Sequence, residues 1–141
     1  MEVAAAKDEE GYYLLPTEDE TVLKPAKNAF KGQVYFLVSP ANVSMAYYLM
    51  RGAKKYQVGT MIGEETGVNQ RGINGGQIIF LCLPHSQVEV DFPVEGSFAK
   101  GRDLPDHGIL PDIEVVPALA DIRAGKDTVL EATLKLIEED H

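Results

Sequence analysis

The feature that most constrains this chain is a fixed order: an apolar run, a polar turn, a helix-compatible stretch and a second apolar run. The first run is Val34-Tyr35-Phe36-Leu37-Val38 and the second is Val58-Gly59-Thr60-Met61-Ile62. Short continuous apolar runs are the pattern of strands buried on both faces. Between them, Met45 to Lys54 reads as a helix whose inner face is predicted to hold Ala46, Leu49, Met50 and Ala53, with Gly52 weakening its last turn. Strand, helix, strand in this order implies a right-handed crossover between parallel neighbours. The turn, Ser39-Pro40-Ala41-Asn42-Val43, delivers Ser44 to the start of the helix. A hydroxyl there sits at the positive end of a helix, where negative charge is stabilised. Backbone N–H groups that could face an oxyanion, that of Met45 among them, lie at the same place, whereas the Met45 side chain is expected in the core. Serine is equally a favoured helix cap. Nucleophile and cap are therefore both open readings of Ser44.

The remaining segments point to an α/β chain. Residues 63–76 form a glycine-rich connection, of a length that is often functional in compact domains. A hairpin is expected from Gln77 to Phe92, turning at Pro84-His85-Ser86, and its second arm alternates Val88 and Val90 with Glu89 and Asp91, which predicts one wet face. Cys82 lies in the apolar arm, Ile78-Ile79-Phe80-Leu81-Cys82-Leu83, and is expected to be a small buried hydrophobe. Residues 113–116 read as a short strand and 117–124 as one or two helical turns ended by Gly125. Asp127 is placed to cap a last helix over 128–139, with Leu130, Leu134 and Ile137 as its apolar stripe. Residues 1–29 read as a lead-in segment and loop, and 30–141 as the principal domain.

Charge and composition exclude several classes of function. A net charge of −9, from 22 acidic and 13 basic side chains, argues against nucleic acid, whose phosphates require clustered Lys and Arg. A single Cys and three scattered His offer no metal-ligand spacing, and no dinucleotide motif is present, so no cofactor is expected. No apolar run approaches the roughly 18–20 residues needed to span a bilayer. The start of the chain lacks the pattern of a signal peptide, so export by that route is not expected.

Five segments, in order, resemble the C-terminal half of the protease domain of the S41 serine peptidases, the tail-specific or C-terminal-processing family. Residues 30–38 are similar to the strand that leads to the family's nucleophile. Asn42-Val43-Ser44-Met45-Ala46 resembles its T-x-S-A-A element, and residues 58–67, ending Gly63-Glu64-Glu65-Thr66-Gly67, its strand and G-E-x-T-G turn. Residues 106–115, with Gly108-Ile109-Leu110-Pro111-Asp112, resemble its G-[IV]-x-P-D-x-x-V element, and Ala124-Gly125-Lys126-Asp127 its lead into a last helix.

The resemblance implies a partial crotonase-like, Clp-protease-like α/β fold, mainly parallel, with a nucleophile helix and a C-terminal helix. It implies Ser44 as nucleophile, the Met45 N–H as an oxyanion donor, and a peptide or protein as substrate. The lysine that serves as base in one branch of the family is matched by about Asn69, and an amide takes no proton near neutral pH. The other branch, of the tricorn and retinoid-binding-protein type, takes a histidine from the N-terminal half and an acidic residue late in the chain, for which Asp103 and Asp106 are the candidates. The histidine-bearing half has no counterpart here, so the chain is expected to be a fragment of such a domain, inactive by itself. A non-catalytic module that binds peptides or self-associates is the alternative. Family members are often extracytoplasmic; the compartment of this chain stays open.

Overall fold

The computed structural model describes residues 6–7, 9, 13–14, 26–98 and 103–139. The chain divides into two compact units, Met1–Gly32 and Gln33–His141. In the first, β1 (Ala6–Lys7) pairs antiparallel with β2 (Tyr13–Leu14). The second unit holds every other element.

Its centre is the predicted crossover. Strand β3 (Tyr35–Val38) leads through the turn into α1 (Ser44–Tyr56), and α1 returns to β4 (Thr60–Gly63), which lies parallel to β3 with Tyr35 opposite Thr60 and Val38 opposite Gly63. On the other side of β4 lies β9 (Ile113–Glu114), also parallel, so β4 is the middle strand of three. Val38, Met61 and Ile62 are fully buried, but the first apolar run is not covered on both faces as expected: Leu37 is exposed and Tyr35 and Phe36 are half-buried. Tyr47, Met50 and Ala53 of α1 close over Val38 and Met61, joined by Val68 and Ile109 from the flanking loops.

The buried face of α1 is thus turned from the predicted one: Tyr47 replaces Ala46 and Leu49, both of which are exposed. Apolar residues run almost around the first two turns, from Met45 to Met50, so spacing alone did not decide which stripe faces inward. The helix ends on Gln57 in the left-handed region (φ 52°), with Lys54 and Lys55 in the last turn, where cations suit the dipole.

Two further strand pairs lie between β4 and β9 in the chain. Strand β5 (Gly72–Asn74) pairs antiparallel with β8 (Gly96–Phe98), and β6 (Ile78–Cys82) with β7 (Glu89–Pro93). The parallel arrangement is therefore confined, among the described residues, to the three central strands. The hairpin and its 84–86 turn fall where expected, but neither of its faces is covered by another described element. Cys82 is consequently exposed rather than buried, and the arm read as having one dry face has none. Beyond β9 come α2 (Leu119–Arg123) and α3 (Thr128–Glu139). Asp127 caps α3, its carboxylate accepting the Leu130 N–H at 2.9 Å. Helix α3 contacts β3 and β4, and its one buried residue is Thr133, while Leu130 and Leu134 of the predicted stripe are exposed.

One polar bridge pins the start of the central strand. The Asp112 carboxylate accepts the Met61 N–H at 2.8 Å and pairs with Lys54 of α1, tying β4, α1 and the approach to β9 together. Desolvation, the largest single influence, raises the Asp112 pKa. The hydrogen bonds from Lys54 and Met61, with the Lys54 charge, outweigh it, and the net direction is downward. A carboxyl lowered in the folded state stabilises above its unfolded pKa, about 3.9, and that stability fades as pH falls through the folded value. Asp112→Asn should therefore cost stability at pH 6, and the gap to the parent should close on acidification to about pH 2. The gap should stay below about 1 kcal/mol, because the Asp112 and Lys54 side chains are 39% and 42% exposed. Urea unfolding of both proteins across this pH range checks it; a gap that does not vary with pH would exclude the ionic contribution.

Candidate active site

Ser44 is reached through a turn with little freedom. The Asn42 N–H donates to the Ser39 carbonyl at 2.9 Å, and the Asn42 side-chain oxygen accepts the Ser39 N–H at 2.7 Å. The Ser39 hydroxyl accepts the Ala41 N–H at 3.3 Å. The loop after β4 presses on the same turn, because the Gly67 backbone lies so close to Pro40 that a β-carbon there would stand 2.1 Å from the Pro40 carbonyl oxygen.

At the end of this turn Ser44 adopts φ 54°, one of three non-glycine residues with positive φ among those described. The left-handed region costs an L-residue roughly 1–2 kcal/mol unless the surroundings impose it. The cap position is held by Val43, extended at φ −122° and ψ 170°, and no side chain caps the helix. Ser44 is thus not acting as a helix cap. Its side chain is exposed and makes no hydrogen bond among the described residues. No acidic residue occupies the first turn of α1, so the partial positive charge of the helix start is not neutralised there. The Met45 N–H lies in that first turn, where helix geometry provides no acceptor. The Met45 side chain is 74% exposed, not part of the core.

The strain at Ser44 predicts an unusual mutational sign. Ser44→Gly should raise stability by about 1 kcal/mol, since glycine takes positive φ without penalty, whereas Ser44→Ala should gain nothing. A lost cap would instead leave both variants less stable than the parent, Ala by more than Gly. Melting temperatures of the two variants distinguish these outcomes.

Asn69 and Asp106, singled out in the sequence for separate reasons, meet in the structure. The Asn69 amide donates to one Asp106 oxygen, and Arg71 pairs with the other at 3.0 Å. Arg71 also donates to the Leu104 carbonyl at 3.1 Å. The contacts continue along both loops. Gln70 donates to the Gly108 carbonyl, Glu65 accepts the Gly108 N–H at 2.6 Å, and the buried Thr66 hydroxyl accepts the Ile109 N–H at 2.8 Å. These non-local bonds carry no sequence periodicity, which is why spacing missed them. Asp103 is exposed and has no partner among the described residues, and no hydrogen bond joins Ser44 to Asn69, Asp103 or Asp106. His107 engages the Gly108 carbonyl through Nδ1 at 2.7 Å, not Asp106, and His85 is exposed in the hairpin turn. A cleft of about 300 Å³ opens at the opposite ends of β3 and β4 from Ser44, between Val34, Tyr35, Val58, Thr60, Ile113 and Leu136.

No protein-family model matches the chain. No curated protein matches it either. Among solved structures it is similar to tricorn protease, with a TM-score of 0.55 and 21% identity, over 86% of this chain and 12% of that one. A protein of Parabacteroides merdae assigned as a peptidase aligns at a TM-score of 0.44 and 23% identity, over 89% of this chain and 36% of that one. The chain therefore spans only a small part of the proteins it resembles, and its fold is similar to that of the aligned part of tricorn protease.

Proposed function

We propose that residues 30–141 are the nucleophile-bearing part of an S41-type serine peptidase domain, of the tail-specific kind and crotonase-like in fold. The observation that carries this reading is Ser44, held at φ 54° with a free hydroxyl at the uncapped start of α1. In the reaction, the Ser44 oxygen attacks the carbonyl carbon of a peptide bond while its proton passes to a base. The carbonyl oxygen becomes an oxyanion facing the Met45 N–H. The C–N bond then breaks, the amine leaves with the proton returned by the base, and water hydrolyses the Ser44 ester. Asn69 cannot be that base. The base is assigned to another segment or chain, with Asp106 or Asp103 orienting it.

Two measurements test the two halves of this assignment. In a Cys82→Ser background, the Ser44→Cys thiol should alkylate with iodoacetamide at a pKa below that of a free thiol, because a helix N-terminus favours the thiolate. An ordinary thiol there would remove the case for an activated site. A fluorophosphonate probe should leave the chain alone unlabelled; labelling lost on Ser44→Ala would show that the base lies within this chain. The second reading, a non-catalytic peptide-binding module, is favoured by the uncovered β6–β7 hairpin.

A further inference from the structure

The β6–β7 ribbon has two chemically different faces. Residues directly opposite in an antiparallel pair share a face, so Ile79 with Phe92 and Leu81 with Val90 lie together, and Leu83 with Val88 extends the row. These six side chains are between 39% and 55% exposed. The reverse face sets Asp91 opposite Phe80 and Glu89 opposite Cys82. Neither carboxylate has a cationic partner among the described residues, and no Lys or Arg occurs between Arg71 and Lys100. Among the described residues neither long edge of the ribbon pairs with a third strand. A two-stranded ribbon with an open edge and an uncovered apolar face is marginal alone and is a template for strand addition.

We propose that the β7 edge accepts an extended segment of another polypeptide in which apolar and basic residues alternate. Strand addition satisfies the free backbone groups of β7. The alternation then lays the apolar residues beside Val88, Val90 and Phe92 on one face and the basic residues beside Glu89 and Asp91 on the other. Charge selects this occupant over a second copy. Each copy carries −9, and β7-to-β7 pairing would bring Glu89 and Asp91 of both copies onto the same edge. Ser44 chemistry is not required, so this surface stands or falls separately from the nucleophile assignment.

The test uses two synthetic twelve-residue peptides, one alternating Val and Lys and one alternating Val and Glu, titrated into the whole chain by fluorescence anisotropy. The Val/Lys peptide should bind at least about tenfold more tightly. The double variant Glu89→Lys with Asp91→Lys should reverse the preference, and Val90→Thr with Phe92→Thr should weaken both peptides while circular dichroism stays unchanged. Equal binding of the two peptides, or a preference that survives the charge reversal, would overturn the proposal. So would a concentration-dependent dimer in light scattering, abolished by Val90→Thr with Phe92→Thr, since a second copy would then be the occupant.

Discussion

Gly63→Ala is expected to destabilise the 33–141 unit by about 3–4 kcal/mol, enough to consume much of a typical domain's stability. Two costs combine. Gly63 sits at φ 132°, a region that is essentially glycine-only. A β-carbon there would also stand 2.1 Å from the Val38 carbonyl oxygen, the atom that accepts the Glu64 N–H at 2.9 Å. The strand cannot shift to relieve the clash. β4 is the middle strand, with β3 on one side and β9 on the other, and the Gly63 carbonyl accepts the Val115 N–H at 2.9 Å. Gly52→Ala is the control: nothing lies within 4 Å of the added methyl, and the site is inside α1, so stability should rise by up to about 1 kcal/mol. Guanidinium midpoints for parent and both variants check the pair. Equal midpoints for Gly63→Ala and the parent would mean that the β3–β4 register is not the one described.

That register also shows which parts of the molecule are legible in its sequence. The crossover from β3 through α1 to β4 could be read because both strands are continuous apolar runs and the helix between them is bounded by turn residues. The β6–β7 hairpin was announced by Pro84-His85-Ser86 between two β-rich runs, and α3 by Asp127. The rest depended on partners distant in sequence. β5 and β8 are three residues each, contain glycine, and make sense only once paired. An apolar run signals a covered strand, but nothing described covers β6, so Cys82 is exposed. At the site, the position of Ser44 could be read but its backbone could not: a positive φ usually shows itself as Gly or Asn, and here a serine holds it. Asn69 and Asp106 were each visible as residues of interest. Their contact was not, since it joins two loops with no common pattern.

The second large effect is expected at Gly67. Gly67→Ala should cost about 2–3 kcal/mol, because the new methyl would meet the Pro40 carbonyl oxygen at 2.1 Å and the Val43 side chain at 3.2 Å. Both obstacles belong to the segment that sets the angle at which the chain enters α1. The Pro40 oxygen is main chain within a turn closed by the Ser39–Asn42 bonds, so it cannot swing aside as a flexible side chain would. Relief must come from displacing the turn, the 64–71 loop or both. Displacing the turn releases Ser44 from φ 54°, and displacing the loop strains the Thr66 and Glu65 bonds to 108–109. The substitution should therefore do two things together: lower the guanidinium midpoint and remove the stabilisation that Ser44→Gly confers on the parent. A double-mutant cycle of Gly67→Ala with Ser44→Gly measures this coupling, and the expected interaction is about 1 kcal/mol. Strict additivity would mean that the strain at Ser44 arises within the turn alone, and that the glycine-rich loop only shields it.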